Sequence, residues 1–220
     1  MKKIKKPVLQ LFIAVCGVFA ALFGLTMFNR YLLMTFPLPW RMVLMIVTQW
    51  ALFLVPGILM LREKERIHDL GFTKEKISKQ ILIGVFLALA MSLILTVLPI
   101  LTGFKNLVGS TSYTQAWQFA YQFIYMLFGV ALAEELVFRG YLFHKLIEIK
   151  NSRWLAIIIS SMLFGLFHIF NGNLIQVVMT AIMGFIYCIF REKIKGCTLL
   201  SIIIAHALYD AMIVLWVAFL

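Results

Sequence analysis

Seven apolar runs, each near the length of about 20 residues that a helix needs to cross a bilayer, follow one another along this chain. They lie near residues 8–28, 40–61, 81–103, 116–138, 154–170, 173–190 and 198–220. Between them stand short polar breaks: Pro37 and Pro39, Arg62–Gln80, Gly103–Ser112, Lys150-Asn151-Ser152-Arg153, Asn171-Gly172-Asn173 and Arg191–Gly196. Hydrophobic residues make up 63% of the 220 and charged residues 13%, so too little polar surface exists to coat a water-soluble globule. The expected fold is an all-α polytopic transmembrane helix bundle of about seven spans. It forms a single integral membrane domain over 1–220, and the polar motifs gather in a core over 116–220.

The net charge of +11 does not point to nucleic acid. The basic residues sit in short segments between apolar runs, where they orient a membrane protein, and no basic stripe interleaved with aromatics could track a phosphate backbone. With the N-terminus inside, the four cytoplasmic segments hold Lys2, Lys3, Lys5 and Lys6; then Arg62, Lys64, Arg66, Lys74, Lys76 and Lys79; then Arg139, Lys145, Lys150 and Arg153; then Arg191, Lys193 and Lys195. The other side keeps Arg30, Arg41 and Lys105. This bias predicts a cytoplasmic N-terminus and an external C-terminus. The first run exceeds a signal-peptide core of 7–15 residues and is followed by no clear cleavage site, so it is read as an uncleaved span. The mixed-charge stretch Arg62–Gln80 suits either an interfacial amphipathic segment or a solvated connector. The cysteines Cys16, Cys188 and Cys197 show no metal spacing and read as lipid-facing or packed thiols.

Charges at bilayer depth cost a few kcal/mol or more and usually face a polar, functional interior. Glu134, Glu135, Asp210, His168 and His206 all lie inside apolar runs. Glu135 and Arg139, four apart, can pair across one helical turn. Glu134 is rotated by about 100° from its neighbour and remains available to another partner. His168 and Glu134 each stand 17 residues from Asn151. An antiparallel hairpin turning there puts both roughly 25 Å from the turn, at one level. His206 and Asp210 share a helical face, and they meet the other pair only if the turn at Asn151 projects beyond the membrane surface. A free carboxylate with two imidazoles can supply hydrolysis with a base and oxyanion donors. The same atoms could instead ligate zinc, with water in the open position. Spacing alone does not choose.

Glu134-Glu135-x-x-x-Arg139, Phe164-x-x-x-His168 and His206-x-x-x-Asp210, in this order on separate helices, resemble the motifs of the CPBP family of intramembrane proteases, also called CAAX proteases and bacteriocin-processing or Abi proteins. The resemblance spans Glu134 to Asp210; the first half of the chain matches only in being hydrophobic. Asp210 stands where the eukaryotic prenyl-protein endopeptidases usually carry Asn. The resemblance implies an intramembrane endopeptidase, labelled a metalloprotease in that family, in which Glu134 with His168 activates water. His206 and Asp210 would stabilise the oxyanion, with Glu135, Arg139 and Phe164 in structural support. Its substrate would be a membrane-bound or lipidated peptide or protein, met within the membrane lipid, and its location a prokaryotic plasma membrane.

The cofactor is open. Zinc on Glu134, His168 and His206 is one arrangement, with Asp210 orienting His206. A metal-free mechanism is preferred, because a Glu134 committed to zinc leaves no acid near His168 to take the proton from water. No HExxH occurs. Two other classes stay in view: a non-catalytic bacteriocin immunity or scaffold protein, and a small transporter. Many transporters are built from internal repeats, and none is visible here.

Overall fold

A computed structural model describes residues 2–171 and 174–220. The break at Asn171-Gly172-Asn173 lies mostly outside them, as do the side chains of Lys2, Lys3 and Lys5. Among the described residues all regular structure is helical. Seven helices are long and apolar enough to cross a membrane: α1 (Lys6–Thr35), α2 (Leu38–Glu63), α3 (Ile77–Leu101), α4 (Ala116–Lys150), α5 (Arg153–Phe170), α6 (Leu174–Lys193) and α7 (Leu199–Phe219). The chain is an integral membrane protein, as the apolar runs imply.

Polar residues set the helix boundaries. Asn151 takes a left-handed conformation (φ 47°) that ends α4, as a short polar side chain permits. The next residue, Ser152, caps α5 by accepting a hydrogen bond from the Leu155 N–H. At the start of α7, Thr198 and Ser201 form a capping box.

Three ion pairs gather the ends carrying most of the basic residues onto one side of the bundle. Lys6 pairs with Glu63, Lys145 with Glu65, and Arg153 with Glu192. The α2–α3 connection is more than a solvated linker. Its short 3₁₀ turn, Ile67–Leu70, inserts Leu70 into the core with no exposed surface, against Gly140 of α4.

Helix α4 is the axis of the bundle. It packs against α1, α2, α5 and α7, and Ala133 through Phe143 are all buried. Two π-helical stretches, Met126–Ala131 and Leu136–Leu142, flank the turn Leu132–Glu135. Such wide turns shift the phase of the residues that follow and recur at functional sites. The indole N–H of Trp50, at the break within α2, donates to the Phe128 carbonyl in the first stretch at 3.1 Å.

One expectation is corrected here. Arg139 is not a charge of a cytoplasmic segment: it lies in the bundle core with no exposed side-chain surface. Its partner Glu135, one turn earlier on the same helix, makes that burial tolerable.

Candidate active site

The pair Glu135–Arg139 forms as the spacing requires, with Nη1 donating to Oε1 at 3.0 Å and both side chains fully buried. The guanidinium lies over the Phe164 ring at 4.0 Å, with Tyr187 of α6 at 5.6 Å. A desolvated contact of this kind contributes about 2 kcal/mol. Phe164 is therefore a platform for Arg139 as well as a spacer on the helix that carries His168. Gly184 of α6 completes the enclosure. A Cβ there would stand 2.8 Å from Arg139 Nη2 and 3.1 Å from the Phe164 ring, so a side chain at this position has no room.

The same Glu135 oxygen has a second partner on a distant helix. His206 Nδ1 lies 2.8 Å from Glu135 Oε1, and a carboxylate oxygen accepts, so Nδ1 carries the proton. The other ring nitrogen, Nε2, faces Asp210 Oδ2 at 3.2 Å and Glu134 Oε2 at 3.9 Å. The imidazole is thus held from both ends by three carboxyl groups, two from α4 and one from its own helix. Tyr187 stacks on it, with centroids 5.5 Å apart and planes at 28°. Phe164 meets it edge-on at 6.0 Å.

His168 ends α5. Its Nδ1 lies 2.9 Å from the Phe164 carbonyl; a carbonyl accepts, so Nδ1 carries the proton and Nε2 keeps its lone pair. Its ring packs against Phe164 and Phe167 at 5.0 and 5.3 Å. Those two phenylalanines contact Phe138, one turn beyond Glu134, at 5.2 and 5.3 Å. His168 and Glu134 are thus brought to one level through Phe138 and Phe164, as the residue counts from Asn151 predict, and His206 joins them through its approach to Glu134 at 3.9 Å.

Glu134 and Glu135 diverge in their commitments. Glu135 Oε1 serves both Arg139 and His206, while Glu135 Oε2 and Glu134 Oε2 are each buried without a hydrogen-bond partner. A buried carboxylate oxygen left unpaired is expensive and is suited to receive a polar hydrogen from a molecule entering the site.

A bound metal fits these residues poorly. Among the described residues, the ligand atoms of Glu134, His168 and His206 do not gather within 4.8 Å of one another; those of Glu65, His144 and Glu148, on the basic side, do. There the Lys145 ammonium already bridges Glu65 and Glu148 and supplies the positive charge a cation would bring.

Three contributors escaped the sequence reading. Gly184 and Tyr187 sit in the apolar run of α6 and carry no formal charge. Arg191 counted only as a topology marker. Its guanidinium turns inward, donating to the Arg139 carbonyl and to the Leu70 carbonyl, the latter at 3.0 Å.

Residues 116–212 match the family model described as type II CAAX prenyl endopeptidase Rce1-like. No curated protein and no solved structure matches the chain. The matched segment runs from the start of α4 into α7 and includes Glu134, Glu135, Arg139, Phe164, His168, His206 and Asp210. The segment that builds the site is thus similar to type II CAAX prenyl endopeptidases of the Rce1-like kind, in agreement with the three motifs.

Proposed function

We propose that the chain hydrolyses a peptide bond of a membrane-associated or lipidated protein by a metal-free mechanism in which Glu134 is the general base. The observation that supports it most is the division of labour around His206. Glu135 has Arg139 as its cation, Asp210 has the His206 ring beside it, and Glu134 has no cation of its own. In this reading His206 carries a proton on each nitrogen, and the free negative charge of the cluster resides on Glu134.

Water entering between these side chains is held between Glu134 Oε2 and the lone pair of His168 Nε2. As its oxygen attacks the scissile carbonyl carbon, its proton passes to Glu134, and the carbonyl oxygen becomes an oxyanion. The Nε2–H of His206 turns from Asp210 to that oxygen, stabilising charge as it develops. Collapse of the tetrahedral intermediate breaks the C–N bond, and Glu134 returns its proton to the leaving amine. Glu135 and Arg139 keep the imidazole aimed; they do not exchange protons with the substrate. Residues from α4, α5, α6 and α7 enclose the centre, so substrates must arrive laterally through lipid or between the helices. Membrane-bound and lipidated chains satisfy that requirement.

The test is comparative proteomics of membrane fractions from cells carrying the native protein or Glu134→Gln. Fragments present only with the native protein identify substrates. Identical fragment sets, with both proteins at equal abundance, would refute the hydrolytic reading.

A further inference from the structure

On the basic side of the bundle, a cavity of about 500 Å³ opens between the start of α5 and the end of α6. That volume lies within the range of ligand pockets, about 300–1,000 Å³. Its walls are Arg153, Trp154, Ile157, Arg191, Glu192 and Lys193. We propose that this cavity binds the phosphate-bearing headgroup of an anionic phospholipid from the cytoplasmic leaflet.

Charge is the first reason. Three cations face one anion, and that anion is already matched: Arg153 Nη1 reaches both oxygens of Glu192, at 2.7 and 2.6 Å. The other two cations have no carboxylate partner among the described residues. Arg191 donates to two backbone carbonyls, and the Lys193 ammonium stands over the Trp154 ring at 5.9 Å. Two positive charges are thus left without a carboxylate partner at this cavity.

Level is the second reason. Arg153 and Lys193 bound their spans, which places the cavity where headgroups begin. Trp154, 56% exposed, is the amphipathic residue type enriched at that depth. A free phosphate would need only the cations. A lipid also uses the apolar wall of Trp154 and Ile157, which continues into the bilayer beside the cavity. Basic pockets between transmembrane helices on the cytoplasmic side are recognised headgroup sites.

The test uses the full chain in nanodiscs of phosphatidylcholine containing a minor fraction of phosphatidylglycerol, with retained lipid counted by native mass spectrometry. Phosphatidylglycerol should be enriched over its bulk fraction. Lys193→Gln should lower the enrichment about fivefold, the effect of one basic residue near the surface. Glu192→Gln should raise it, because the cavity loses its anion and Arg153 is released. Lys195→Gln, at the same level but outside the cavity, should leave it unchanged. The opposite signs at adjacent positions separate binding from damage to the fold. Inorganic phosphate added at constant ionic strength should not displace the lipid. Equal retention of the two lipids, loss in both Lys193→Gln and Glu192→Gln, or displacement by free phosphate would overturn the proposal.

Discussion

His206 Nδ1 donates a hydrogen bond to Glu135 Oε1 at 2.8 Å, across 71 positions of sequence. The oxygen that receives it also receives Arg139, so one buried carboxylate orients the imidazole of α7 and neutralises the guanidinium of α4. The neighbouring Glu134 approaches the same ring from its other nitrogen, at 3.9 Å, and has no arginine partner among the described residues. Two adjacent acids thus have different partners, and substitutions should separate them.

Glu134→Gln removes the proposed base and keeps the shape. Hydrolysis of a substrate found by the membrane proteomics should fall by about 10²–10⁴-fold, the usual contribution of a positioned acid–base group. The thermal unfolding midpoint in detergent should match the native protein. Activity within tenfold of native would remove Glu134 from the role of base.

Glu135→Gln strands a fully buried guanidinium and frees the His206 ring. The expected loss of stability is about 3–5 kcal/mol, as for breaking a buried pair by removing one partner. Glu135→Leu combined with Arg139→Met should recover much of that stability without recovering hydrolysis, since an apolar pair packs but does not aim His206. Recovery of both would show that the ion pair is not needed to orient the histidine.

Gly184→Ala drives a methyl group into Arg139 and Phe164. Overpacking of this kind costs about 1–3 kcal/mol, visible as a lower unfolding midpoint. Gly24→Ala on α1 is the control. Nothing lies within 4 Å of a Cβ there, so its midpoint should hold or rise. Equal effects at the two positions would mean that Gly184 is not a packing constraint.

Topology reporters should place residues near Lys6 and Lys76 in the cytoplasm and a fusion after Leu220 outside. The removal of Arg139 from the tally of loop charges leaves this expectation intact, because the other basic residues of the inner segments remain. A cytoplasmic signal after Leu220 would mean that α5 or α6 fails to cross.

Cys197, in the connection between α6 and α7, is buried, and burial pushes its thiol up to about 11. At pH 8 about one molecule in a thousand then carries the reactive thiolate. A water-soluble maleimide should label it slowly in the folded protein and readily after denaturation. Fast labelling at pH 8 would place Cys197 at the surface.

The sequence by itself determined the solvent, the spans and the short-range pairs. Seven apolar runs demand lipid. Within one helix, residues four apart share a face whatever surrounds it, which is why Glu135–Arg139 and His206–Asp210 were legible. The common level of Glu134 and His168 was legible for a similar reason, since helical rise and a single turn at Asn151 set it. Tertiary structure decided what crosses between helices: that Glu135 holds His206, that Phe164 lies under Arg139, and that Gly184 and Tyr187 close the site. Those contacts depend on the rotation of α4 against α6 and α7. The π-helical turns on either side of Leu132–Glu135 change the phase of α4, and burial on every face from Ala133 to Phe143 removes the amphipathic pattern that would otherwise mark an orientation there. Arg139 and Arg191 show the same limit from the side of charge. Both are arginines near apolar runs, and only the partners brought to them by folding separate a core residue and an inward-turned cavity wall from markers of a membrane surface.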